Sequence, residues 1–144
     1  MIVVGVDGSQ SGLEAVTWAV REAARRGTAV RIVHVMAAWA AELPEEGRFA
    51  EVGRWMRENA QAVLAAAADR ARADGPGVAV ERRLIPGEPL PALLDAAAEA
   101  ELLVVGNHGL GGFRGLLLGS VALGLAGRTA CPLVVVRGTA EPRR

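Results

Sequence analysis

The sequence predicts a single doubly wound α/β domain, on three observations. Five short runs rich in β-branched residues and leucine alternate with segments of helical period, and the length of 144 residues suits one compact core. Four of the runs, Ile2 to Asp7, Val30 to Met36, Leu102 to Gly106 and Leu133 to Val136, are almost continuously apolar. Strands covered on both faces by helices read this way, whereas a half-solvated strand alternates. The fifth run, Val78 to Leu84, carries Glu81, Arg82 and Arg83, which predicts a partly solvated strand at one end of the sheet.

After the first strand, Leu13, Val16, Val20 and Ala23 recur at three- and four-residue spacing, predicting a helix from about Gly12 to Arg26 that stops at Gly27. Ser11-Gly12-Leu13-Glu14 reads as its capping box. The second strand is followed by a stretch from Ala37 to Gly47, with Trp39 and Pro44, long enough to form a flap. Phe49, Val52, Met56, Ala60, Val63, Ala67 and Ala71 then draw an apolar stripe down a long helix that ends at Asp74-Gly75-Pro76-Gly77. On this reading Trp55 packs locally beside Met56, while Trp18 and Trp39 mark partner surfaces. A third helix is expected to start after Pro89 and end near Ala100, and a fourth to run from about Ser120 to Gly127. Strand–helix alternation of this kind closes with right-handed crossovers. One domain over 1–144 is expected, with about 138–144 as a tail.

Sixteen basic residues balance sixteen acidic ones, so no overall positive field would hold nucleic acid or an anionic membrane. Every one of the sixteen is arginine, which excludes lysine nucleophiles and the P-loop lysine. The single Cys131 cannot form an internal disulfide and is expected to be buried before Pro132. His34, inside an apolar strand, is expected to be a packed, hydrogen-bonded core residue. No run approaches the roughly 18 residues of a spanning helix, and Met1 leads straight into a strand, so the expectation is a cytoplasmic protein without membrane contact.

Chemistry is expected at the carboxyl ends of the strands, where open α/β sheets bind ligands. The first strand runs into Asp7-Gly8-Ser9, and the fourth into a segment from Gly106 to Ser120 in which six of fifteen residues are glycine. Such a loop brings several backbone N–H groups to an oxyanion, and the helix at Ser120 aims its positive end the same way. The ligand group predicted is a phosphate, met by backbone amides, the Ser120 hydroxyl, Arg114 and a divalent cation.

The spacing Gly106-x2-Gly109-x9-Gly119-Ser120 resembles the ATP-binding signature of the universal stress protein family. Val3-Val4-Gly5-Val6-Asp7-Gly8-Ser9 and Ala130-Cys131-Pro132-Leu133-Val134-Val135-Val136 resemble that family's opening and closing strands. The resemblance implies a five-stranded parallel sheet in the order 3-2-1-4-5, with helices on both faces. It further implies that Asp7 lies near the nucleotide's metal or sugar and Val35 by the adenine. Gly106, His108 and Gly109 would line the ribose and phosphate path, and Gly119, Ser120 and Val121 would hold the phosphates. Asn107 and Arg114 are additional candidate phosphate contacts.

The expected cofactor is ATP with Mg2+, bound by a small dimeric regulator of the stress response that favours binding over fast hydrolysis. Homodimerisation is expected through the apolar edge Leu133, Val134, Val135 and Val136. Two departures stand out. Asn107-His108 replaces the family's usual Ser or Thr followed by Arg or His, and Ala122 stands where some members carry a second hydroxyl. The second change removes a donor worth about 0.5 to 1.5 kcal/mol. The alternatives are a nucleotide-free dimerising interaction module and a slow ATPase or AMP-handling enzyme.

Overall fold

A computed structural model of the protein describes residues 1–108 and 119–138. Five strands, β1 (Ile2–Val6), β2 (Val30–Met36), β3 (Val80–Pro86), β4 (Leu102–Gly106) and β5 (Leu133–Val136), form one sheet in the order β3-β2-β1-β4-β5. All four pairings are parallel. The helices are α1 (Gln10–Arg26), α2 (Ala38–Ala41), α3 (Ala50–Asp74), α4 (Pro89–Ala96) and α5 (Ser120–Leu125).

The alternation of side chains along each strand divides the core in two. Ile2, Val4, Val6, Val30, Ile32, Leu102 and Val104 pack under α1 and α3. Val3, Val33, Leu103 and Val105 pack under α4 and α5, with Leu93, Ala122 and Leu125. Continuous apolarity in β1 and β4 is therefore the consequence of a sheet clothed on both sides, as the sequence predicts.

Several boundaries differ from the sequence reading. β3 lies two residues further on, because its pairing with β2 runs from Val30↔Val80 to Met36↔Pro86. α4 ends at Ala96, where Ala98 and Ala100 take up tight bonds to the carbonyls of Asp95 and Ala97. α5 ends at Leu125, since Ala126 is already extended with ψ 124. The stretch expected as a flap contains α2, whose Ala40 is buried against Ala60 and Met36.

The predicted stripe of α3 holds from Met56 onward, with Ala60, Ala67 and Ala71 buried and Met56 and Val63 packed against the core, and it departs at the start of the helix, where Gly53 is buried while Phe49 and Val52 face solvent. The reason is the packing of Leu43 against Gly53, where an added Cβ would stand 3.1 Å from the Leu43 Cβ. α3 turns its smallest residue, not its largest, toward the chain that precedes it.

Three carboxylates near the surface are held below their ordinary range by the donors beside them. Glu22 is lowered to about 2, first by hydrogen bonds from Arg25 and Arg26. Glu81 is lowered by Arg83 and Arg31, and Glu101 by the N-terminal amine and the Thr28 hydroxyl. Carboxylates depressed on folding stabilise the native state above their unfolded pKa, and that contribution is lost as pH falls through the folded value. The expected result is a midpoint of thermal unfolding that declines from about pH 4.5 downward, with the Glu22 part persisting until about pH 2. Circular dichroism melts of the protein and of Glu22→Gln across that range check it, the variant losing part of the slope.

Candidate functional site

Gly5 is level with Val33 on β2 and with Val105 on β4. The pairings run out at Val6↔His34 and Gly5↔Val105, and Asp7, Val35 and Asn107 follow them in the chain, so the strand order brings the ends of β1, β2 and β4 together. The crevice at these ends lies where the winding reverses between β1 and β4.

Asp7 opens the turn into α1. Its Oδ1 accepts the Ser9 amide at 3.0 Å, the Asx-type bond that an Asp-Gly-Ser sequence favours, and Gly8 supplies the positive φ of 88. Ser9 is the cap of α1, its Oγ accepting the Gly12 amide at 3.2 Å. The capping role expected of Ser11 is thus taken by Ser9. Ser11 is instead buried and donates its hydroxyl to the His108 carbonyl at 2.6 Å, fixing the start of the glycine-rich segment to the first turn of α1.

Gly106 owes its place to this contact. A Cβ there would overlap Ser11 Oγ and stand 2.6 Å from the Ser11 carbonyl carbon and 2.8 Å from the Gly12 nitrogen. Gly138 approaches from the other side, its would-be Cβ 3.3 Å from the Ser11 Cα. Sequence reasoning missed Ser11 as the hub of this end of the sheet. The available signal was the Ser11-Gly12 pair, two small residues where a helix start must pass two strand ends.

Asn107 is 6% exposed, and its bonds face inward. Its amide donates to Val136 at 2.9 Å, its carbonyl accepts the Gly119 amide, and its Oδ1 accepts the Gly138 amide at 3.2 Å. It therefore joins the end of β4, the end of β5 and the approach to α5. The Gly119 amide is correspondingly spent on protein, leaving Ser120, Val121 and Ala122 as the first-turn amides without an intrahelical acceptor. Ser120 is exposed, Val121 is partly buried, and Ala122 is buried in the core on the α4–α5 side of the sheet. The alanine is accounted for by that packing. With six residues, α5 also contributes a smaller end charge than a longer helix would.

Val35 packs on the α4–α5 face of the sheet. His34, beside it, points its Nδ1 to the Val6 carbonyl at 2.8 Å, the hydrogen-bonded position expected for a histidine in a strand. Burial raises the Cys131 thiol above its ordinary range, which makes it a poor nucleophile. Gly109 and Arg114 lie outside the described residues. Among the described residues no group of three or more His, Cys, Asp or Glu is placed to hold a metal ion, and no helix is long and apolar enough to cross a membrane.

A cavity of about 220 Å³ lies on the opposite face of the sheet from Val35, between α1 and α3. Val6, Leu13 and Val63 line it with Ala62, Ala66 and the Gly8-Ser9 turn. It shares the β1–α1 turn with the crevice but is apolar.

These features define a doubly wound α/β protein with its candidate ligand crevice at the β1/β4 reversal. The sequence model of the Universal stress protein family matches residues 1–137, and the chain belongs to that family. A universal stress protein of Mycolicibacterium smegmatis is 37% identical over 138 residues, covering 94% of this chain and 45% of the relative. One from Mycobacterium tuberculosis is 36% identical over 143 residues, covering 98% and 50%. The chain thus spans about half the length of these curated relatives. Among solved structures, a universal stress protein in complex with cAMP is 35% identical, covers 96% of each chain and superposes with a TM-score of 0.71. The universal stress protein from Archaeoglobus fulgidus in complex with dAMP is 26% identical, covers 94% of this chain and 95% of its own, and gives 0.66.

Proposed function

We propose that the chain binds an adenine nucleotide, ATP carried with Mg2+, in the crevice at the carboxyl ends of β1 and β4. The observation that carries this reading is the 35% identity, over 96% of each chain, to a family member solved with cAMP. The strand pairing that ends at Val6↔His34 and Gly5↔Val105, just before Asp7, Val35 and Asn107, supports the same location. In this reading Val35 lies against the adenine and Asp7 by the sugar or the metal. Gly106, His108 and Gly109 follow the ribose and phosphates, while Ser120 and Val121 offer the first amides of α5, with Gly119 allowing the approach. Arg114 adds the neutralising cation. Asn107 acts by holding the two ends of the segment, since its backbone and Oδ1 are already engaged.

Mg2+ fits this crevice as a passenger on the phosphates. It commonly keeps water and one or two carboxylates, and Asp7 supplies a carboxylate at the crevice even though one of its oxygens also holds the Ser9 amide. Bound, the ion would neutralise phosphate charge. Binding is favoured over fast turnover, because the chain has no lysine and the described crevice offers a single histidine, His108, to serve a transferring phosphoryl group. The protein acts as a dimeric regulator, joined through the edge strand Leu133–Val136.

Native mass spectrometry of the purified protein, followed by calorimetric titration of the nucleotide-free form with ATP, AMP and cAMP with and without Mg2+, tests the reading. The expected result is micromolar ATP binding strengthened by Mg2+, and a loss of about tenfold or more in Ser120→Asp, whose carboxylate would face the phosphates. Absence of heat with every nucleotide at millimolar concentration would overturn it.

A further inference from the structure

The chain has five aromatic residues, three Trp and two Phe, and three of them are exposed along one stretch. Trp39 is 59% exposed, Phe49 53% and Trp55 66%, and Val52 beside them is 47% exposed. The local packing expected of Trp55 is not what the fold provides. Aromatic side chains concentrated on a surface are characteristic of interfaces rather than of solvated faces.

The pattern along α3 says what kind of partner fits. Val52, Trp55, Asn59, Ala62, Ala66 and Asp69 are all exposed and follow one another at steps of 3, 4, 3, 4 and 3. That spacing is the narrow seam of a two-helix contact, on the side of α3 away from its buried row of Gly53, Ala60, Leu64 and Ala67. The seam reads the same in both directions about a point between Asn59 and Ala62. Pairing two copies antiparallel about that point sets Trp55 against Ala66 of the other copy, a large residue opposite a small one. Val52 then meets Asp69 at the solvated rim.

The cavity between α1 and α3 completes the fit. Ala62, Val63 and Ala66 form its α3 wall, and Leu13 and Val6 close it from α1 and β1. Ala62 and Ala66 belong both to this wall and to the exposed seam, where the indole of the opposite Trp55 would arrive. Charge follows the same symmetry. Glu51, in the first turn of α3, has no ion pair among the described residues, and Arg72, in the last turn, is 67% exposed and pairs only with neighbouring Asp69. Antiparallel pairing brings Glu51 of one copy beside Arg72 of the other, and Arg70 beside Phe49.

We infer that the outer face of α3 is a self-association surface, on which a second copy of this chain docks antiparallel with Trp55 seated in the cavity lined by Leu13, Ala62, Val63 and Ala66. The interface is isologous and distinct from the β5 edge, so a chain using both assembles beyond a dimer. It does not depend on the nucleotide reading.

Sedimentation velocity over a range of concentrations, with tryptophan emission recorded in parallel, tests the inference on the whole chain. The expected result is an assembly larger than a dimer that Trp55→Glu reduces to a dimer, with a concentration-dependent blue shift that the variant lacks. Trp55→Ala should weaken association roughly tenfold or more. Glu51→Arg should weaken it too, and adding Arg72→Glu should restore it. Within one helix residues 51 and 72 are about 30 Å apart, so rescue requires two copies. A dimer abolished by Trp55→Glu supports the α3 contact and removes the β5 one. A species unchanged by Trp55→Glu, or a monomer at all concentrations, overturns the α3 contact, and in the unchanged dimer the β5 reading survives.

Discussion

Replacing Gly106 by alanine is expected to destabilise the protein by about 2 to 3 kcal/mol, the upper range for overpacking a close contact. The new methyl would have to occupy space within 2.6 Å of the Ser11 carbonyl carbon and 2.8 Å of the Gly12 nitrogen. These are backbone atoms of the first turn of α1, so no rotamer change relieves them. Either α1 lifts from the end of β4, breaking the Ser11–His108 bond, or β4 is displaced from β1 and β5. A drop of about 8 °C in the unfolding midpoint follows for a chain of this size. Gly5→Ala is the internal comparison, because its nearest atom, 2.9 Å away, is the tip of the Leu93 side chain, which can turn aside. If the two variants melt within about 2 °C of each other, the close passage of α1 over β4 is wrong. The result also bears on the crevice. A glycine required by helix packing is required whether or not a phosphate binds, so its presence in the signature spacing is by itself no measure of ligand contact.

Asn107→Ala is expected to cost about 2 kcal/mol in the ligand-free protein, since it removes the acceptor of the Gly138 amide at a buried site. The backbone bonds from Asn107 to Val136 and from Gly119 to Asn107 remain, so the sheet persists while the joint between β4, β5 and α5 loosens. The midpoint should fall by about 6 °C without nucleotide. Asn107→Asp is the informative companion. It keeps the acceptor for Gly138 and should recover most of the loss, while its charge opposes a nearby phosphate. Were Asn107 chiefly a phosphate ligand, the ordering would invert, with both variants melting like the parent and only nucleotide affinity changing. Differential scanning calorimetry with and without nucleotide separates the two.

Much of the fold was legible because the signals for it are local. The uninterrupted apolar runs Ile2–Val6 and Leu102–Gly106 identify strands covered on both faces, and Glu81, Arg82 and Arg83 correctly mark β3 as an edge. Gly27, with φ 70, ends α1 where a left-handed residue is needed, as the pattern predicts. The start of α3 was read less well than its later turns, where Ala60, Ala67 and Ala71 are buried as predicted. Its helical period is shared by two candidate stripes, one with Phe49 and Val52 and one with Gly53 and Leu64, and periodicity alone cannot rank them. Phe49 and Val52 are the more hydrophobic there, yet Gly53 is the buried residue, and a Cβ on it would stand 3.1 Å from the Leu43 Cβ.

The candidate site divides along the same line. The sequence by itself determined the class of fold, the order of its elements, the residues at the ends of β1 and β4, and the family to which the chain belongs. Each of these is carried by residues adjacent or periodic along the chain. Only the tertiary structure decided that Ser9 and not Ser11 caps α1, that Ser11 holds the His108 carbonyl, and that Asn107 turns its side chain toward Gly138. Ser11 and His108 are 97 residues apart, and the bond between them exists because β1 and β4 lie side by side. A hydroxyl or amide close to several donors and acceptors chooses among them by distance and burial, and those are set only once the strands have been placed.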